Sequence, residues 1–166
     1  MYEVGQKVVY GIHGVCDILD LEIKTVDRKK ISYFVLTPVD QPGAIFYVPA
    51  ENPVALKKLS QLLTKQELED LLSSVDKSKD AWVPDENRRK LRYKDLLGSG
   101  DRKEILEMIC ALHIHKEEQL QKGKKFHLCD ENFLHDAQRL LCSEISLVME
   151  KTKEEAMAYL HDYYDF

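Results

Sequence analysis

Arg88, Arg89, Lys90, Arg92 and Lys94 fall within the seven residues RRKLRYK, six positions after the only tryptophan of the chain, Trp82. Clustered guanidinium and ammonium groups can neutralise phosphates, and an aromatic ring beside them can stack on a base or wedge next to it. On a helix, Arg88 and Arg92 form one i,i+4 pair and Lys90 and Lys94 another, on either side of a stripe of Tyr93, Leu96 and Leu97. The stripe can dock the helix while its cations reach outward. The competing reading is a solvated helix face, neutralised by Asp85, Glu86 and Asp95. Spacing alone does not choose between them.

Trp82 stands among Ser78, Lys79, Asp80, Pro84 and Asp85, a polar setting for a large aromatic. Pro84 disfavours helix at the residue before it, which places Trp82 on the loop leading into the basic helix. Two roles stay open: a hydrophobic staple folded back onto the helix, or an aromatic displayed to nucleic acid.

Other chemistry is sparse. His113 and His115 lie about 200° apart on a helix, so they cannot share a metal, and they read as surface histidines. His113 and Glu117 are at i,i+4 spacing without a third ligand. His13 in GIHG reads as a turn residue. No GxSxG, Walker or GxGxxG pattern is present, and the four cysteines (Cys16, Cys110, Cys129, Cys142) form no CxxC pair. The expectation is a protein that is not an enzyme, with no metal, no cofactor and no small-molecule substrate. Its thiols are expected to be reduced.

The net charge of −5 disfavours a free-standing DNA binder. Its distribution is uneven: residues 77–125 hold 13 Lys+Arg against 9 Asp+Glu, and residues 126–166 hold 3 against 9. Such a chain can touch nucleic acid over a small area but needs help to stay there. No apolar run approaches the roughly 20 residues that cross a bilayer. MYEVGQKVVY lacks a positive segment followed by an apolar one, so the chain is expected to act in the cytoplasm, without a membrane partner.

The elements that must position these residues fall into two halves. KVVYG, VCDILDLEIKTV, ISYFVLTPV and AIFYVP are rich in β-branched and aromatic residues, with turns at GIHG, DRKK and DQPG. Leu19, Leu21 and Ile23 alternate with Asp20, Glu22 and Lys24, the period of a half-buried strand with Lys24 facing outward. From Asn52 onward everything reads as helical: Asn52 caps with Pro53 behind it, Thr64–Glu67 and Thr152–Glu155 match capping boxes, and Asp101 caps a further helix. A long helix is predicted from about Asp130. The fold class is therefore α+β, with a small SH3-like or Tudor-like β-barrel over 1–51 and an all-α bundle of about five helices over 52–166.

Several stretches carry a resemblance over nearly the whole chain: VGQKVVYGIHGVCDI, YFVLTPV, FYVPAEN, the segment from Trp82 to SGD, and LLCSEISLVMEKTKEEA. Together they resemble the CarD/CdnL-type bacterial transcription regulators. The resemblance implies an N-terminal Tudor-like domain, similar to that of transcription-repair coupling factor, which grips the β subunit of RNA polymerase. It also implies a helical domain that meets promoter DNA in the minor groove at the upstream edge of the transcription bubble. There a tryptophan wedge helps hold the promoter open. A weak DNA contact becomes effective when a polymerase tether raises its local concentration.

The leading expectation is thus a nucleoid-associated transcription regulator that modulates open-complex stability. Trp82, Arg88, Arg89, Lys90, Arg92 and Lys94 are its candidate DNA contacts, and Lys24 and Tyr47 its candidate polymerase contacts. The alternative is a protein–protein adaptor that binds no DNA and uses Trp82 as an interface anchor.

Overall fold

The β-branched and aromatic runs near the N-terminus form β1 (Lys7–Tyr10), β2 (Val15–Val26), β3 (Lys29–Pro38) and β4 (Phe46–Pro49). After a one-turn helix α1 (Pro53–Leu56) comes β5 (Leu59–Gln61), and all pairing is antiparallel in the order β4-β3-β2-β1-β5. The computed structural model describes residues 1–77 and 81–166, so Ser78, Lys79 and Asp80 of the polar loop lie outside the described residues. The chain divides into two compact units, Met1–Leu62 and Leu63–Phe166.

The first unit corrects two expectations. Residues beyond Asn52 are not all helical, because Asn52 caps only one turn by accepting from the Val54 and Ala55 amides. The chain then doubles back, and β5 pairs with β1 through Val9↔Ser60 and Tyr10↔Leu59. Leu59 is buried in the sheet core, and its carbonyl accepts from the Tyr2 hydroxyl. The unit therefore ends at Leu62 rather than at residue 51, and the helical unit starts at Leu63 rather than at residue 52. The expected small barrel is a five-stranded sheet with β4 and β5 at the two ends of the pairing order.

Val8, Cys16, Ile18, Phe34, Leu36, Val48 and Leu59 form the core of this unit. A register shift between Ile18 and Asp20 makes Leu19 the extra residue of a bulge. The bulge changes phase, so Leu21 pairs with core Phe34 and lies on the Ile18 face, while Glu22 pairs with Tyr33 on the other. From Asp20 on the alternation assigned the faces correctly, but it missed Leu19 as the bulge and it missed the burial: Leu21 is 47% exposed and Ile23 68%. The β2–β3 ribbon runs past its short neighbours, and β1 covers β2 only from Val15 to Asp17. A two-residue turn, Asp27 and Arg28, closes the ribbon with φ of 48° and 64°.

The second unit contains α2 (Lys65–Ser74), α3 (Glu86–Ser99), α4 (Arg102–Gln121), α5 (Leu128–Val148) and α6 (Lys153–Tyr164). Both capping boxes form, and Asp85 and Asp101 cap α3 and α4 by accepting from the Arg88 and Glu104 amides. Gly100, at φ 73°, takes the left-handed conformation that ends α3, and Asp101 starts α4 at once. LLGSGD is therefore a helix–helix joint. The central α4 buries Ile105, Met108, Ile109 and Leu112 against Leu134, Ala137, Leu141 and Ile145 of α5. Burial pushes the Cys16 thiol up to about 12 and the Cys110 and Cys142 thiols up to about 11, which keeps them protonated and unreactive.

Candidate functional site

The RRKLRYK run lies in α3, with Tyr93, Leu96 and Leu97 buried as the stripe predicts. Its five cations have different fates. Arg88 and Lys94 are exposed. Lys90 pairs with Glu86 at 2.7 Å and Arg92 with Glu104 at 3.3 Å, both at the surface. The Glu86 carboxyl is held below the usual carboxylate range by its bond to Lys90. Exposed pairs of this kind are worth at most about 1 kcal/mol, so a phosphate can displace the carboxylate.

Arg89 corrects the sequence expectation. It is only 4% exposed, and its Nε and Nη2 donate to the two carboxylate oxygens of Asp130 at 2.8 and 3.0 Å. Its Nη1 donates to the carbonyls of Val83 and Pro84. A guanidinium so committed is not available to a phosphate. The signal was in the spacing: Arg89 is four residues before buried Tyr93, and Asp130 four before buried Leu134, so both lie on core stripes.

Trp82 is half-buried at the edge of the helical core. The Arg89 Cζ lies 4.2 Å from its ring centroid, and the His115 imidazole stacks on it at 4.1 Å with an interplanar angle of 19°. Arg89 is the fourth residue of α3, so the ring does fold back toward the helix as a staple would. The adjacent backbone is fixed as well, because the Tyr93 hydroxyl donates to the Ala81 carbonyl. His115 is therefore a ring partner of Trp82 and not a plain surface histidine.

His113, two residues earlier, is also partnered: its Nε2 meets Gln138 Oε1 at 3.0 Å and its ring stacks on Phe166 at 4.1 Å. The first turn of α5 braces the same region, since Asp130 holds Arg89 and Glu131 holds Lys116 at 2.9 Å. The preceding segment carries exposed Lys122, Lys124 and Lys125, cations that the RRKLRYK run does not include. They are close enough together in the sequence to be noticed, but nothing local ties them to Trp82.

In the first unit, Lys24 and Tyr47 come together. The Lys24 Nζ lies 3.4 Å from the Tyr47 ring centroid, and Tyr33 meets Tyr47 edge-on at 6.4 Å. Both lie on the sheet face opposite Ile18 and Phe34, with Tyr47 44% exposed. A cation laid over an aromatic plate makes a compact surface suited to a protein partner.

Among the described residues, no group of three or more His, Cys, Asp or Glu could hold a metal ion, and no helix is long and apolar enough to cross a membrane.

Family comparison follows the same two-part division. Residues 2–60 match the CarD-like/TRCF RID domain, and residues 68–161 match the CarD C-terminal domain. The chain belongs to the CarD family. The first match runs past residue 51 and ends within β5. CarD-family domains of these two kinds are those of RNA polymerase-interacting transcription factors, which are generally non-enzymatic. No curated protein matches the CarD-like chain.

Proposed function

We propose that the chain regulates transcription by gripping the β subunit of RNA polymerase and touching promoter DNA at the upstream edge of the bubble, working at the nucleoid. The Lys24–Tyr47 face makes the polymerase contact. Trp82 enters the minor groove there, while Arg88, Lys90, Arg92 and Lys94 neutralise phosphates beside it. Open-complex lifetime changes because a wedge binds an unstacked step better than a stacked one. The observation that carries this reading is Trp82, half-buried and held against Arg89 of α3, the same helix that carries exposed Arg88 and Lys94, in a CarD-family chain.

The second reading is a protein–protein adaptor. It is favoured by Leu91 and Leu128, which are 67% and 75% exposed, and by the carboxylates that already pair Lys90 and Arg92. One experiment compares full-length wild type, Trp82→Ala and the Lys24→Ala/Tyr47→Ala double variant in polymerase capture and open-complex lifetime. The regulator reading expects Trp82→Ala to leave capture intact and shorten the lifetime about tenfold, within the ~1–3 kcal/mol of a base–aromatic contact. It expects the double variant to lose capture. An unchanged lifetime with Trp82→Ala sinks the wedge and favours the adaptor.

A further inference from the structure

We propose that His115 and the Arg89–Asp130 pair are positioning residues that clamp both faces of Trp82, so that the indole meets DNA by its edge. The inference rests on the reading of Trp82 as a promoter contact and specifies how that contact is made.

Two groups cover the indole. The imidazole of His115 lies 4.1 Å from its centroid and nearly parallel to it, and the Arg89 guanidinium carbon lies 4.2 Å away. Two groups so near one centroid crowd each other on a single face, and the proposed clamp therefore sets them on opposite faces. A base can then stack on Trp82 only by expelling one of them, whereas the ring edge needs no such exchange.

The clamp is rigid on the arginine side. Arg89 is fixed by two bonds to Asp130, and its bonds to the Val83 and Pro84 carbonyls hold the two residues that follow Trp82. The histidine side is more open. The His115 side chain is 21% exposed, 3.4 Å from Glu118 on its own helix, and it is not part of the buried core. Its ring can therefore be removed without emptying the core.

A clamped ring enters the groove already ordered. A free tryptophan loop must lose its rotamer freedom on binding, and that loss subtracts from affinity. His115 thus acts on DNA through Trp82 without touching it.

Trp82 is the only tryptophan, so intrinsic fluorescence reports on this ring alone. The test uses full-length wild type, His115→Ala, His115→Phe and Trp82→Ala. Acrylamide quenching is measured on the free tryptophan-containing proteins. Open-complex lifetime is measured for all four with RNA polymerase and a linear promoter, and thermal unfolding checks each fold. His115→Ala is expected to raise quenching and to shorten the lifetime by about three- to tenfold, the scale of a single aromatic stack. His115→Phe, which keeps a flat ring against the indole, is expected to restore both.

If His115→Ala leaves quenching unchanged, the clamp is overturned. If Trp82→Ala shortens the lifetime and His115→Ala does not, the positioning role is overturned while the DNA-contact reading stands. If His115→Phe restores quenching but not lifetime, His115 acts in some other way and the proposal fails. If Trp82→Ala itself has no effect on lifetime, the DNA reading fails and takes the positioning role with it, whatever the quenching.

Discussion

At the scale of single residues, Arg89 and Arg88 are adjacent and alike in type, yet they have opposite roles. The Arg89 guanidinium is sealed against Asp130, with side-chain exposures of 5% and 2%. Removing one partner strands the other charge away from water. Asp130→Ala is expected to lower stability in urea unfolding by about 3–5 kcal/mol, against no more than about 0.5 kcal/mol for Arg88→Ala. His113 gives a second residue-scale prediction. Burial, the main cause, holds its pKa below the usual value; Gln138 and Glu131 pull it up, while His161 and Lys116 push it further down. The unfolded chain therefore takes up a proton that the folded one resists. The stability this contributes is present above about pH 6.5 and is lost as pH falls through the lower folded value. A melting-temperature profile from pH 7.5 to 5 is expected to fall on the acid side. His113→Phe flattens that fall, since Phe can still stack on Phe166, and Gln138 keeps its bond to His161 at 2.6 Å.

At the scale of elements, β5 and the first turn of α5 matter more than their lengths suggest. β5 has three residues, yet it supplies Leu59 to the sheet core and closes the outer edge of β1. A fragment of residues 1–62 is expected to melt cooperatively. A fragment of residues 1–51 is expected to melt at least about 10 °C lower, because it forfeits a buried leucine worth ~1.5–3 kcal/mol as well as a strand pairing. Circular dichroism melts of the two fragments check this, and equal midpoints would mean that β5 is dispensable. The first turn of α5 sends Asp130 to α3 and Glu131 to α4, so one helix start holds two neighbours in register. Element type was legible where the local pattern was strong. Thr64, Thr152 and Asp101 announced their helices through capping chemistry that spans only three residues. β5 was not legible, because three residues carry too little periodicity and its partner β1 lies some fifty residues away in the chain.

At the scale of the whole molecule, the net charge of −5 opposes DNA binding, and within RRKLRYK Arg89 is buried while Lys90 and Arg92 already pair with carboxylates. DNA contact under these conditions depends on the polymerase tether, which replaces a bimolecular search with an intramolecular one. The salt dependence should then be shallow and traceable to individual cations. Replacing Arg88 and Lys94 together with Ala is expected to reduce the slope of log lifetime against log salt by about 2, one for each phosphate that is no longer neutralised. An unchanged slope would assign α3 to a solvated or protein-facing surface, as the adaptor reading expects.

The sequence by itself determined the two-part organisation, the opposite faces of Leu21 and Glu22 in β2, the helix starts at Thr64, Asp101 and Thr152, and the family, because each depends on residues within a few positions of one another. Tertiary structure decided which cations are available and how Trp82 is held. Arg89 meets Asp130 across 41 residues, and Trp82 meets His115 on a different element. Local spacing puts Arg89 and Asp130 on core stripes, but nothing local pairs residues so far apart in the chain. Each charge can lie on a core stripe only because its partner neutralises it there, and that pairing exists only once α3, α4 and α5 have packed.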